Sequence, residues 1–369
     1  MPDQIVYELS TRYTPYADGA AVLDLEQIAS KAVAKKISFF NRPLASLHLA
    51  LDPGHVGGIW AEWEWRNFRI SKEDYWIREG ELVLEVAQRI RTCLTNFGAE
   101  VTLLREDYQP INPMNFIDYW PLAAAEKMPP TELSLKSQID HALTVRNRAM
   151  HLAIVRGEIA ERARLVNEVI QPDALISLHM NAAEWADGNK DQLVDGDHAH
   201  VLIFGCLSET ELASPNQQIQ LLEKISNGSG AVEVQLGAAL GSALIETTGL
   251  PASDYQGRHA IRIDPEVPSL WARNLMLLRL VDCPTVLMEP YITNSHSSYA
   301  RIQKALRARE YHEPLPADDI LVEYADAVVS GVLRAYERQY LQKSPCRRPK
   351  KFSTSISDTL CLKNNRQNC

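Results

Sequence analysis

Three apolar runs in this chain each end in a residue able to do chemistry. Alternating and then nearly continuous apolar residues from Leu47 to Leu51 break at Pro53-Gly54 and deliver His55. Ala174-Leu-Ile-Ser-Leu178 repeats the plan and delivers His179, and Cys283-Pro-Thr-Val-Leu-Met288 delivers Glu289. One histidine past a buried strand is compatible with a capped turn. Two strand-end histidines in one α/β domain are a better fit to a metal pair. A carboxylate that closes an apolar run is costly unless it is paired or functional, so Glu289 reads as functional. His198-Ala-His200 offers two rings on one strand face, but nothing near it in sequence supplies a third ligand.

The elements that must position these groups alternate between strand and helix. Leu82, Val86, Ile90 and Leu94 recur at helical spacing after the first strand, Gly98 closes that helix, and Glu100 to Arg105 makes the second strand. Strand, helix, strand in this order predicts a parallel pair with a right-handed crossover. Glu79 and Glu81 open the helix, where the positive helix end stabilises carboxylates without any further role. The run from Glu132 to Ile170 reads as helix, and a last helix is expected from about Asp318 to Tyr340. Together these predict a three-layer αβα sandwich around a mainly parallel, mixed sheet. The strands at Leu47, Val101, Leu175 and Val286 are expected to be parallel and central.

The chain divides into an N-terminal extension over 1–43, with a helix expected at 23–36, a catalytic domain over 44–343, and a polar, basic tail over 344–369. The tail is expected to be disordered and dispensable for folding. Within the domain, 107–132 reads as an insertion over one face, since residues 107–130 hold five prolines and four aromatics. Trp60, Trp63, Trp65 and Phe68, interleaved with Glu62, Glu64 and Arg66, form a patch without a clean period and read as a loop. Its rings either stack on sugar or peptide faces or pack the loop onto the domain, and packing is the favoured reading.

The bulk composition removes some classes. A formal net charge of -9 offers no broad basic face, which argues against a nucleic-acid partner. No apolar run approaches the roughly 20 residues of a membrane-spanning helix. The N-terminus shows no basic region and apolar core of a secretory signal; the protein is cytosolic, leaves by another route, or starts upstream. The six cysteines form no Cys-x-x-Cys pair, so no zinc knuckle or dense disulfide framework is indicated.

In order, Asp52-Pro-Gly-His-Val-Gly-Gly58, the helix-opening Glu79, Ile176-Ser-Leu-His-Met-Asn-Ala182 and Pro284-Thr-Val-Leu-Met-Glu289 resemble the zinc-dependent N-acetylmuramoyl-L-alanine amidases of the amidase_3 family. The likeness covers most of residues 45–341 and includes Arg162 to Asn167, similar to the family's Arg-x-x-x-Ala-Asn with Val166 in place of alanine. Each motif alone is weak, and four in the right order make a specific signal. The resemblance implies that His55, Glu79 and His179 hold Zn²⁺ and that Glu289 is the catalytic carboxylate. Glu79 is preferred to Glu81 because Glu79-Gly-Glu-Leu-Val-Leu matches the family's Glu-Lys-Asp-Leu-Asn-Leu. Asn181 and Arg66 are candidate substrate-binding residues. Val56 interrupts the usual His-Gly-Gly, and the 60–68 patch replaces Asp-x-Gly-Ala, so substrate fine specificity departs from the family pattern.

Two imidazoles and a carboxylate leave a fourth zinc position for water, the pattern of a hydrolytic site. The expected activity is hydrolysis of the amide between N-acetylmuramic acid and L-alanine in peptidoglycan, with a muropeptide as substrate. The substrate class places the expected action in the periplasm or cell envelope, and an activator protein is conceivable but unidentified. The rival readings are another zinc peptidase or amidohydrolase of related fold and a catalytically silent wall-binding or regulatory domain. A zinc carboxypeptidase needs His-x-x-Glu, yet Gly58 stands three residues after His55, and neither His-Glu-x-x-His nor Gly-x-Ser-x-Gly occurs.

Overall fold

The computed structural model describes residues 43–343 apart from 46, 114, 130–133, 186–191 and 256–258, with 337–343 as backbone only. The extension and the tail expected from the sequence lie outside the described residues, apart from 43.

The apolar runs become a seven-stranded sheet. Its strands are β1 (His48–Pro53), β2 (Glu100–Leu103), β3 (Ala174–Leu178), β4 (Ala199–Phe204), β5 (Ala260–Arg262), β6 (Leu270–Arg273) and β7 (Thr285–Pro290). Their spatial order is β2-β1-β3-β7-β4-β6-β5. The four strands expected to be parallel do run parallel to one another, while β4, which follows His198, pairs with β7 antiparallel. One placement differs from expectation: β2 is an edge strand, not a central one. It carries exposed Glu100 and half-buried Val101 and Thr102, a pattern suited to a strand with a neighbour on one side only.

Successive strand residues feed opposite layers, as the period-2 geometry requires. Leu49, Leu51, Ile176, Leu178, Val286 and Met288 join one large core. Ala50 and Leu175 pack on the other face with Ala163 and Val166, and Leu202, Phe204 and Leu287 with Trp271. Helix α1 (Glu79–Asn96) covers the first face through buried Leu82, Val86, Ile90 and Leu94. Burial of each such side chain contributes about 1.5–3 kcal/mol before the entropy of ordering it is counted. Gly98, at φ +100°, ends the helix in a conformation that disfavours other residues. Helices α5 (Ser229–Thr248) and α7 (Ile320–Lys343) complete that layer.

On the opposite side, a helical run begins with α2 (Leu135–Leu152) and continues through α3 (Glu158–Arg164), with π-helical stretches at Ala153–Gly157 and Leu165–Ile170. It stops at left-handed Gln171, just before Pro172. Although Ile111 packs against the core around Ala50 and Leu175, part of the expected insertion packs away from the sheet. Its short helix Trp120–Ala125 and α2 share a small core of Ala123, Val145, Ala149 and Leu152, separate from both sheet cores. Among the described residues, no helix is long and apolar enough to cross a membrane. Two further helices, α4 (Pro215–Ser226) and α6 (His296–Glu310), flank α5 and α7 in sequence.

The chain passes from β1 outward to β2 and then returns to β3 on the other side of β1. This reversal opens a crevice beyond the carboxyl ends of β1 and β3, where open α/β sheets collect their ligands. His55 and His179 follow those two strand ends.

Candidate metal and acid/base site

β1 delivers His55 through a turn that must be held in place. His55 itself has φ +55°, a left-handed conformation that costs a non-glycine residue on the order of 1 kcal/mol or more. Two buried arginines offset this. Arg105 Nε and Arg162 Nη2 both donate to the His55 carbonyl, at 3.1 and 2.7 Å. Arg162 also bonds the Pro53 carbonyl at 2.9 Å, Asp52 at 2.8 Å and Glu158 at 2.8 Å. Asp52 accepts from Ser177 as well, so the turn is tied to β3. Burial pushes the Asp52 carboxyl up, but Arg162 and Ser177 carry it below its ordinary value.

Glycine is required twice by close approach. A Cβ on Gly54 would lie 2.3 Å from the His179 ring, and one on Gly80 would lie 2.3 Å from the Val56 carbonyl oxygen. The His55 turn is thus clasped between the β3 end and the start of α1.

Glu79 is the first residue of α1, and it is buried. Its Oε1 accepts from the Met180 N–H at 3.0 Å and lies 3.1 Å from His179 Nδ1, while Oε2 lies 3.4 Å from His55 Nε2. The two histidine rings meet edge to face with centroids 4.9 Å apart. Burial pushes the Glu79 carboxyl up, yet the charges of His55, His179 and Arg66 bring it down to about 2. Burial likewise lowers the His179 pKa, but the hydrogen bond and charge of Glu79 carry it above the ordinary value.

One ligand atom from each of His55, Glu79 and His179 lies within 4.8 Å of the others, the only such metal-sized group among the described residues. Zinc at about 2.0–2.1 Å from tetrahedral donors sets those donors roughly 3.3–3.4 Å apart, and the two histidine-to-carboxylate separations, 3.1 and 3.4 Å to different Glu79 oxygens, lie near that. Nitrogen, nitrogen and carboxylate oxygen is also the donor set of hydrolytic zinc sites, so these residues fit the ion. Glu81 turns elsewhere: it accepts from the Gly58 N–H at 2.8 Å and from Arg78 at 3.2 Å, pinning the loop after His55.

A residue that the sequence reading left in the aromatic patch proves central. Glu64 follows the short helix Trp60–Trp63 and is buried, with Oε2 accepting from the Val56 N–H at 2.8 Å and Oε1 3.4 Å from His55 Nδ1. A carboxylate on Nδ1 assigns the proton to that nitrogen and leaves Nε2 as the ligand atom. Burial raises the Glu64 carboxyl, and His55 and the Val56 N–H lower it below its ordinary value. The only sequence signal was a carboxylate wedged between Trp63 and Trp65, where its burial has to be repaid by a partner. The patch read as a loop instead forms the helix Trp60–Trp63 and a two-residue strand at Asn67–Phe68, and it packs in part: Phe68 is buried and meets Trp185 edge-on, whereas Trp65 stacks on His151 of α2 but stays 67% exposed.

Glu289 reaches the same edge from β7. Leu178 pairs with Met288 and the His179 N–H donates to the Met288 carbonyl, so the next rung sets Glu289 beside His179. The carboxylate hydrogen-bonds His200 Nε2 across the β4–β7 ladder. Burial pushes it up, and the His200 bond and neighbouring imidazoles bring it below its ordinary value, ready to accept a proton.

Of the two candidate substrate contacts, Arg66 is exposed and its charge acts on Glu79. Asn181 lies just past β3, its Nδ2 3.3 Å from His198 Nε2 and its Oδ1 accepting from the Ala182 N–H. His198 and His200 do lie near each other, 5.6 Å between centroids, but they join no metal-sized group among the described residues.

No protein-family model matches this chain, and no curated protein does. Among solved structures, it is similar to the N-acetylmuramyl-L-alanine amidase Ami1 from Mycobacterium smegmatis, with 16% identity, TM-score 0.44, and 80% of this chain covering 99% of that one. Ami1 from Mycobacterium abscessus gives 16% identity and TM-score 0.43 over 79% of this chain and 99% of that one. The CwlD amidase from Clostridioides difficile, in complex with the GerS lipoprotein, gives 13% identity and TM-score 0.40 over 81% and 100%.

Proposed function

We propose that this chain is a zinc-dependent amidase of the amidase_3 type that hydrolyses the bond between N-acetylmuramic acid and L-alanine in peptidoglycan, acting in the cell envelope. The observation that carries this reading is the convergence of His55, Glu79 and His179 at the sheet's switch point, with Glu289 on the adjoining rung. These are the four residues that the ordered motifs single out.

His55 through Nε2, His179 through Nδ1 and the Glu79 carboxylate would hold the ion. When bound, zinc supplies a Lewis acid that polarises the scissile carbonyl and acidifies a water. Glu64 holds the His55 ring in the required tautomer, and Arg105 and Arg162 hold the backbone that carries it. Glu289, ionised at neutral pH, takes the proton of the attacking water and returns it to the leaving amine, a transfer typically worth about 10²–10⁴-fold. Exposed Arg66 offers a cation at the rim for an anionic group of the substrate, and Asn181 offers an amide on the β3 side.

The test is the zinc content of the purified protein followed by mass analysis of digested peptidoglycan. One zinc per chain and released stem peptides with free L-alanine amino termini are expected. Products cut within the peptide or glycan strands, or a chain that takes up no zinc, would overturn the reading.

A further inference from the structure

Glu289 has a partner that the proposed chemistry does not yet use. His200 is the second residue of β4, which runs antiparallel to β7, so it lies at the same sheet edge as the ends of β1, β3 and β7. It is 1% exposed, and its backbone register places it directly opposite Glu289. Its Nε2 bonds Glu289 Oε2, and the Tyr255 hydroxyl stands 3.1 Å from the same nitrogen. Its Nδ1 is buried and has no hydrogen-bond partner among the protein groups. A buried imidazole with one orphaned nitrogen is a net cost to folding, because an apolar residue of similar size would fill the space without it.

The orphaned nitrogen also settles the tautomer. A proton on Nδ1 would leave a buried donor unsatisfied and would turn the Nε2 lone pair toward a carboxylate oxygen. A proton on Nε2 avoids both and is donated to Glu289. Resting on the function proposed above, we infer that His200 is a positioning residue for Glu289: its Nε2–H fixes Oε2 and the rotamer of the carboxylate, so that Oε1 is presented for proton transfer. The Tyr255 ring, 5.0 Å from that of His200 between centroids, backs the imidazole. The antiparallel ladder supplies the aim, since the two side chains lie on the same sheet face at one rung.

Three substitutions separate this role from packing. His200→Gln sets an amide N–H near the Nε2 position, His200→Asn sets its amide nearer Nδ1, and His200→Leu removes the donor. With zinc content and melting temperature measured alongside, Leu and Asn are expected to lose about 10–100-fold in kcat on a muramoyl-L-alanine substrate, the value of a hydrogen bond to a charged group. KM is expected to be unchanged and Gln to recover most of the loss. A second readout needs no turnover: in crystal structures, Glu289 should keep its rotamer in the wild type and His200→Gln and leave it in His200→Leu and His200→Asn. If Gln ranks no higher than Leu and Asn, or the Glu289 rotamer is the same in all four proteins, His200 does not position it. If the wild type hydrolyses no muramoyl amide, the proposed function falls instead, and the crystal structures alone decide the positioning role. Should His200→Leu fail to fold, the Asn and Gln pair carries the same comparison.

Discussion

His55, Glu79 and His179 reach their meeting point from a turn, a helix start and a strand end, whereas Glu289 and His200 face one another across a hydrogen-bonded strand pair. The proposed metal side spans 100 residues between Glu79 and His179 and relies on supports outside the sheet: two buried arginines, two close-packed glycines and the Glu64 carboxylate. The proposed acid/base side spans 89 residues between His200 and Glu289 and relies on ladder register. Backbone hydrogen bonds place a strand residue without help, but a left-handed turn holds only while its surroundings over-determine it. Damage to the metal side should therefore spread to folding and zinc affinity, while damage to the acid/base side should stay in the chemical step.

The largest separation should come from Glu289→Gln, which keeps the shape and removes the proton-transfer capacity. Turnover is expected to fall about 10²–10⁴-fold with zinc at full occupancy. Near wild-type turnover at full zinc would move the acid/base role to another residue. Arg162→Leu attacks the opposite side. It strands Asp52 and Glu158, both buried, and frees two carbonyls of the turn. About 3–5 kcal/mol of unfolding free energy should be lost in a denaturant titration, with weaker zinc binding in the protein that still folds. A change under 1 kcal/mol would show that the turn holds itself.

Glu64→Gln tests the support for His55 alone. Zinc affinity in a competition titration with a chelating dye should weaken about 10–100-fold while the fold is kept. Unaltered affinity would mean that the Val56 N–H, not the imidazole, is the partner that matters. A further test is the pH dependence of stability in the chelator-treated protein. The folded Glu79 pKa, about 2, lies below its ordinary value of 4.5, so its contribution is present above about pH 4.5 and lost as pH falls through about 2. The wild type should lose more stability than Glu79→Gln between those limits in melts at stepped pH. Parallel curves would show that the carboxylate is not held in its charged form.

How much of this was legible in the linear chain differs by residue. The strands at His48–Pro53, Ala174–Leu178 and Thr285–Pro290 were readable because each is a dense apolar run closed by a breaker or a polar residue. α1 was readable from its four-residue apolar spacing. β6 was not singled out: Leu270–Arg273 is short, between a serine and an asparagine, and its period competes with nothing recognisable. The position of β2 at the edge depends on which side of β1 each crossover lands, which no local pattern records.

The site divides along the same line. Residue type at a strand end is a local property, so His55, His179 and Glu289 stood out as candidates in the chain, while Glu79 was preferred only through the family resemblance. Which nitrogen of His55 is free, why Glu81 turns away, that Glu64 sits under a tryptophan-rich loop and that His200 faces Glu289 are facts about neighbours far apart in sequence. Local propensity carries the strands and helices, because each residue's backbone preference is felt within a few positions. Partnership is decided only when the sheet closes and burial forces every polar group to find another.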